Sequence, residues 1–272
     1  MKILFIGDIV GKVGRRMIHD YLPKFVEKYH IDFVIANGEN ATHGKGLIRH
    51  HYDELIDDGV DVITLGNHYD SKDEIRKYID RVDRLVRPIN LSHDFPGVGT
   101  ALFDLDGVSI RVTNVLGSAM MDEEVNNPYY SLLELMSNED EETANIHIVD
   151  FHAEATGEKI SLAYALDGKV SAVLGTHTHV QTADFRILEN GTGFISDVGM
   201  TAAYDSSLGC EKESVVKKLI YGEQSKFQIP EEGKGVFSAV VLDVDPISGK
   251  TTEIFPIYFI EKWKPKLLIS LT

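Results

Sequence analysis

The sequence predicts an α/β fold built on a mainly parallel sheet. Three observations carry that expectation. Strand-like and helix-like segments alternate through the first half of the chain, two Asx-Gly dipeptides separate later strand-like runs, and chemistry-bearing side chains recur directly after the strand-like runs.

The elements follow in order. Lys2–Gly7 is a short apolar strand, and Gly14–Tyr29 carries Met17, Ile18, Tyr21, Leu22, Phe25 and Val26 at helical spacing. Pro23 lies within that stripe and is expected to kink or split the helix. Phe33–Asn37 reads as a second strand, Ile48–Asp58 as a second helix and Asp61–Leu65 as a third strand. Ser71-Lys72-Asp73-Glu74 has the spacing of a capping box opening a helix through Ile79. Gly99–Leu105 and Val108–Val115 flank Asp106-Gly107, a hairpin signal, and Phe185–Glu189 and Gly193–Ser196 flank Asn190-Gly191. Between them, Asn145–Phe151 and Val170–Leu174 are strands on either side of a helical stretch, Gly157–Leu166. Val236–Val244 and Thr252–Ile260 form a last strand pair, expected to complete the second sheet or to serve a subunit contact. No repeat, low-complexity tract or linker interrupts the chain, so residues 1–272 are expected to form one domain.

Composition narrows the function classes. The balance of 27 Lys and Arg against 43 Asp and Glu gives a net charge of −16, which argues against coating duplex nucleic acid through its phosphates. A small phosphorylated substrate remains compatible, because bound metal ions invert the local field. The single cysteine, Cys210, excludes a disulfide framework and a Cys-rich zinc site, and reads as a small structural residue in a reducing cytosol. No apolar run approaches the roughly 18 residues of a membrane span. The N-terminal segment is too short in apolar residues for a signal peptide, so a cytoplasmic location is expected.

The chemistry concentrates at strand ends. Asp8 follows the first strand, Glu39 and Asn40 the second, and Asn67 and His68 the third, while His152 ends Asn145–Phe151 and His177 and His179 follow Val170–Leu174. In an open α/β sheet such positions share one crevice. Carboxylate, amide oxygen and imidazole suit borderline-to-hard divalent metals, and thiolate is absent. Asp8, Glu39, Asn40, Asn67, His152, His177 and His179 are too many for one catalytic zinc with an open position. They suit two metals sharing a carboxylate, an arrangement that activates a bridging hydroxide for in-line displacement at phosphorus. His68 is then free to protonate the leaving oxygen.

Each residue also has a bland reading. Asp8 alone reads as a cap or turn former, Glu39-Asn40 as a turn, and His152 as a satisfied core histidine. His177 and His179 are a better signal, because period two sets both rings on one face. The constellation outweighs the separate readings. Gly7–Val13 is one residue short of a P-loop, and no Ser or Thr follows Lys12. His43, His50 and His51 lie in polar loop sequence and are expected at the solvated surface, while His147 is out of phase with His152 and reads as structural. Glu139–Glu142 reads as a solvated acidic run. For Asp197, Gly199, Met200 and Thr201 two readings stay open, a loop over the substrate or an ordinary turn.

Gly7-Asp8, Gly66-Asn67-His68, His152 and Gly175-Thr176-His177-Thr178-His179 resemble the motifs of the calcineurin-like metallophosphoesterases. Two departures stand out. Val10 occupies the histidine position of the usual Asp-x-His motif, and Asn37-Gly38-Glu39-Asn40-Ala41-Thr42 replaces Gly-Asp-x-x-Asp-Arg. Both departures resemble the YmdB-like phosphodiesterases, as do Asp150–Thr156 and Asp197–Thr201, and the likeness runs from Met1 to about Gly209. The resemblance implies an αββα sandwich of two mixed sheets flanked by helices. It implies one metal held by Asp8, Glu39, Asn40 and His179, another by Glu39, Asn67, His152 and His177, and His68 as the catalytic histidine. Iron or manganese are the implied metals, and the donor set also accepts zinc. The implied activity is hydrolysis of 2′,3′-cyclic nucleotides, 2′,3′-cyclic AMP first among them, with homo-oligomers in some members. Phosphomonoesterase or exonuclease activity at the same site is the alternative, although the missing motif arginine would have clamped a monoester dianion. A different class of reading is a regulatory protein whose metal site binds a nucleotide or an RNA end.

Overall fold

The computed structural model describes residues 1–138 and 144–262. The acidic run Glu139–Glu142 lies outside the described residues. The first strand, β1 (Lys2–Ile6), alternates its side chains between two cores: Ile3 and Phe5 face one, Leu4 and Ile6 the other. It runs parallel to β3 (Phe33–Asn37), which is followed by β4 (Val62–Thr64) and β5 (Leu85–Val86), all parallel. A two-residue strand, β2 (Asp8–Ile9), pairs in parallel with β12 (Met200–Ala203).

The last strand pair, β13 (Gly235–Val244) and β14 (Thr251–Ile260), joins this first sheet. β13 is antiparallel to β14 on one edge; its other edge carries β1 and, end to end with it, β12. The sheet is therefore mixed, because the parallel strands read from the N-terminal pattern are extended by an antiparallel ribbon. The second sheet runs in the order β10 (Arg186–Ile187), β11 (Gly193–Ile195), β9 (Ala172–Thr176), β8 (Ile146–His152), β7 (Val108–Leu116), β6 (Thr100–Leu105). Here β7, β8, β9 and β11 are parallel, and antiparallel hairpins close both edges. Asp106 and Gly107 take φ of 53° and 83°, the left-handed pair that a two-residue hairpin requires.

The two sheets face each other across Ile3, Phe5, Phe33, Ile35, Ile110, Ile148, Leu174 and Leu242. Burial of each such side chain contributes about 1.5–3 kcal/mol. Helices α1 (Gly11–Tyr29) and α2 (Arg49–Asp57) cover the outer face of the first sheet; α3 (Pro128–Ser137) and α4 (Thr156–Ala165) cover that of the second. A further short helix, α5 (Lys212–Leu219), precedes β13. The layers are the αββα sandwich. Helix α1 continues unbroken through Pro23, which has no N–H to give the carbonyl of His19. Met17, Ile18, Leu22 and Phe25 anchor the helix on both sides of that gap, with the Phe25 ring 4.8 Å from Phe237.

Three expectations are corrected. The segment after Ser71 forms 3-10 turns, Asp73–Lys77 and Ile79–Arg81, with no side-chain cap. Glu74 does not reach back to Ser71; its Oε1 accepts the Arg49 N–H at 3.0 Å and caps the first turn of α2 instead. His51 is buried rather than solvated, with Nδ1 2.8 Å from Thr42 Oγ1, and burial pushes its pKa down to about 4. The final strand pair completes the first sheet, not the second. His147 is structural, as expected: it packs on Thr113, and burial with the adjoining Arg111 pushes it down to about 3. Cys210 is half-buried, and burial pushes its thiol up.

Candidate metal centre

The C-terminal ends of β1, β3 and β4 in one sheet meet those of β8 and β9 in the other. His152 is the last residue of β8, and the other six candidate ligands lie just beyond the strand ends. Alternation along the strands decides which side chains point between the sheets. On β8, Ile146 and Ile148 enter the inter-sheet core, so Asp150 and His152 continue the same face. On β3 the face of Phe33 and Ile35 ends in Asn37.

Asp8 follows a glycine for a steric reason. A β-carbon at Gly7 would lie 2.0 Å from the Gly199 carbonyl oxygen, so only glycine lets β1 turn into β2 against the Val198–Gly199 backbone that leads into β12. The Asp8 N–H then donates to Gly199 O at 3.0 Å. Glu39 and Asn40 sit in the turn after β3, where Asn37 Oδ1 accepts the Glu39 N–H at 3.2 Å. His177 and His179 leave β9 with φ of 101° and 66°, a region that β-carbons disfavour.

The ligand atoms converge in two overlapping groups. His152 Nε2 lies 3.0 Å from Asn67 Oδ1, 3.0 Å from His177 Nδ1 and 3.2 Å from Glu39 Oε1. His179 Nε2 lies 3.3 Å from Asn40 Nδ2 and 3.6 Å from Asp8 Oδ1. Glu39 belongs to both, since its Oε1 also lies 3.0 Å from Asn40 Nδ2. Among the described residues, Asp8, Glu39 and His152 offer ligand atoms all within 4.8 Å of one another, and all three are buried. The Asn40 amide donates to both carboxylates, and a half-turn of it presents Oδ1 as a ligand atom.

Charge accumulates here against the cost of burial. Burial opposes ionisation of Glu39, yet neighbouring His152 holds it at about 2. Asp8 stays well below the usual carboxylate range against the same burial, chiefly through His179. Burial disfavours the imidazolium too, but Glu39 lifts His152 to about 9 and Asp8 lifts His179 to about 9. His177 is pushed down to about 4 by burial and by the charge of His152. A cation entering this cluster would displace protons from the two histidines, since only neutral imidazole binds metal.

Each imidazole is also held from behind, as metal-ligating histidines are. Thr176 Oγ1 donates its proton to Asp150 Oδ1 at 2.6 Å, so it accepts from His152 Nδ1 at 2.9 Å, which leaves His152 Nε2 to face the cluster. His177 directs Nε2 to Glu154 Oε2 at 3.2 Å. His179 donates Nδ1–H to the Leu208 carbonyl at 2.9 Å. Thr64 Oγ1 and Asn37 Nδ2 bind the other Asp150 oxygen at 2.5 and 3.0 Å, and burial raises this carboxyl to about 6. The donor set and these supports fit divalent ions. The sequence reading assigned no role to Asp150, Glu154, Thr176 or Leu208. Asp150, Glu154 and Thr176 lie within two residues of a candidate histidine, whereas Leu208 is 29 residues from His179 and had no local signal.

His68 lies beside the cluster without a place in either group. Its N–H donates to Glu39 Oε2 at 2.8 Å, while its half-buried ring makes no hydrogen bond among the described residues. Burial pushes its pKa below the usual imidazole value. Gly66 shows how tightly the site closes. A β-carbon there would lie 2.5 Å from Glu39 Oε2 and 2.5 Å from two ring carbons of His152. Gly66→Ala is therefore expected to remove metal binding while the outer cores stay packed. Metal analysis beside the circular-dichroism spectrum checks it; an alanine variant with parental metal content would contradict the geometry.

A model of the YmdB-like protein family matches residues 4–257. The chain belongs to this family. A Bacillus subtilis relative of this YmdB-like protein, named 2′,3′-cyclic-nucleotide 2′-phosphodiesterase, is 46% identical over 254 residues, covering 93% of this chain and 95% of the relative. The crystal structure of a phosphatase from Mycoplasma pneumoniae superposes with a TM-score of 0.89 at 36% identity, over 96% of this chain and 93% of that one. A Haemophilus influenzae NAD nucleotidase is 13% identical with a TM-score of 0.56, over 96% of this chain and 56% of that one, and shares the fold alone. The YmdB-like chain thus has the metallophosphoesterase fold, with a buried Asp/Glu/His cluster able to bind metal. No helix among its described residues is long and apolar enough to cross a membrane.

Proposed function

We propose that this YmdB-like protein is a phosphodiesterase that uses two metal ions to open small 2′,3′-cyclic nucleotides, 2′,3′-cyclic AMP among them. The observation that carries the reading is the pair of overlapping ligand groups sharing Glu39. One ion would be held by Asp8, Glu39, Asn40 and His179, the other by Glu39, Asn67, His152 and His177; the family resemblance favours iron or manganese, and the carboxylate, amide and imidazole donors accept either as well as zinc. When bound, such ions stabilise charge on the phosphoryl oxygens and supply an activated water. Asp8 and Glu39 are buried, so bulk water is excluded from the floor of the site, and their negative charge would be offset by the bound ions as the anionic phosphate approaches. His68 gives its proton to the departing ribose oxygen; its ring is free to do so, and its N–H bond to Glu39 fixes its distance from the cluster. Following the name of the Bacillus subtilis relative, the broken bond is the 2′ ester and the product a nucleoside 3′-phosphate.

The test compares manganese-loaded protein with a chelated sample on 2′,3′-cyclic AMP. The loaded sample is expected to release 3′-AMP and the chelated one none, with manganese restoring turnover. Equal turnover in both would refute the metal-dependent reading. Inorganic phosphate appearing beside 3′-AMP would show monoester hydrolysis at the same site, the activity suggested by the Mycoplasma pneumoniae phosphatase.

A further inference from the structure

The segment carrying His177 and His179 is fixed by charged groups along its backbone. Lys159, on α4, is 1% exposed and donates Nζ to the Thr176 carbonyl at 2.8 Å and to Asp197 Oδ2 at 2.8 Å. Asp197, also 1% exposed, accepts the Thr178 N–H on the same oxygen at 2.9 Å and the Gly199 N–H on Oδ1 at 2.8 Å. Between them the His177 N–H donates to Asp8 Oδ2 at 3.1 Å. The carbonyl before His177, its own N–H and the N–H after it therefore each meet an ionised side chain. This is the stretch where both histidines adopt positive φ.

Such a backbone persists only where its surroundings over-determine it. A buried ion pair is a weak source of net stability, because desolvation offsets the attraction, so this pair acts mainly through geometry. The neighbouring contacts set its place. A β-carbon at Gly175 would lie 1.8 Å from Ser196 O and 3.1 Å from the Lys159 stem, and Val198 N donates to Gly175 O at 2.8 Å. The two strand exits are zipped together, and the Lys159–Asp197 pair closes the zip beside the histidines.

We propose that the buried Lys159–Asp197 pair is a positioning device for metal binding: it clamps the Thr176–His179 backbone so that His177 and His179 face the carboxylates. Lys159 and Asp197 touch no ligand atom and act through the loop. The proposal rests on both histidines being ligands, and His179→Ala tests that part separately. If His179→Ala binds manganese as tightly as the parent, the ligand assignment fails, whatever the clamp does.

The clamp itself is tested by manganese titration of metal-free protein, with the melting temperature and circular-dichroism spectrum of each variant recorded alongside. Lys159→Met, Asp197→Asn and the double variant are compared with Arg16→Met, which breaks the Arg16–Glu261 pair, whose other hydrogen-bond partners are Asp20, Tyr21, Gly233 and Gly235 rather than the histidine segment. The double variant leaves no unpaired buried charge, so its metal-free melting temperature should recover relative to Lys159→Met. Its manganese affinity should nevertheless stay about 10–100-fold below the parent, the usual cost of losing an outer support. Arg16→Met should lose melting temperature and keep its affinity. Parental affinity in the folded double variant would overturn the proposal, as would a matching loss of affinity in Arg16→Met. Failure of the double variant to fold would make the pair a folding element and overturn it equally.

Discussion

Replacing His68 by alanine is expected to lower turnover of 2′,3′-cyclic AMP by about 10²–10⁴-fold, the range over which a positioned acid contributes. Metal content should stay at the parental level. The expectation follows from where the ring stands: half-buried, beside Glu39, with no hydrogen bond among the described residues and no ligand group that needs it. Only the backbone N–H of residue 68 engages the cluster, and alanine keeps it. The pH dependence supplies a second readout. A general acid works in its protonated form, so the parent should lose kcat as pH rises through the pKa of His68, which burial sets below the ordinary value. That alkaline limb should vanish in His68→Ala. Loss of metal ions in the variant would instead make His68 a ligand.

The parts of the site that the sequence revealed are those governed by short-range rules. Asp8, Asn67, His152, His177 and His179 each follow an apolar strand run, and strand ends in α/β sheets gather ligands, so local periodicity sufficed to group them. The hairpin at Asp106-Gly107 was legible for a similar reason, since two residues alone can take the required left-handed pair. What escaped depends on distant partners. Asp150 receives Thr64 and Asn37 from the other sheet, and Lys159 meets Asp197, which lies 38 residues further on. Nothing local to Asp150 or Lys159 announces such a partner. The Ser71–Glu74 capping box failed by the same logic, because Glu74 found a stronger use on the first turn of α2. Helix α3 does carry local signals, Asn127 as its cap and Pro128 at its start, but its short apolar run lacks a clear helical period. The last strand pair was recognised as strands, but its sheet was not, since pairing of β13 with β1 joins the two ends of the chain.

Glu39→Gln is expected to have the larger effect on metal content. Glutamine matches glutamate in shape, so the fold and the bond from the His68 N–H to an oxygen at this position can survive. Charge is what changes. Glu39 contributes one of the two buried carboxylates of the cluster, and its Oε1 lies within 3.2 Å of His152 Nε2 and 3.0 Å of Asn40 Nδ2, one from each ligand group. Removing that charge weakens the attraction for both ions at once, in a buried setting where little solvent screens the loss. It also removes the main support for the raised His152 pKa, which then follows its burial downward. Metal analysis should therefore show both ions lost or greatly weakened, with turnover falling at least about 10³-fold as the metal chemistry disappears. Asn67→Ala supplies the contrast, since among the described residues the Asn67 side chain is hydrogen-bonded to His152 Nε2 alone and its loss should cost one group its ligand. If Glu39→Gln instead keeps two ions per chain, Glu39 does not join the groups. Its role would then reduce to holding the His68 backbone, and turnover should fall no further than in His68→Ala.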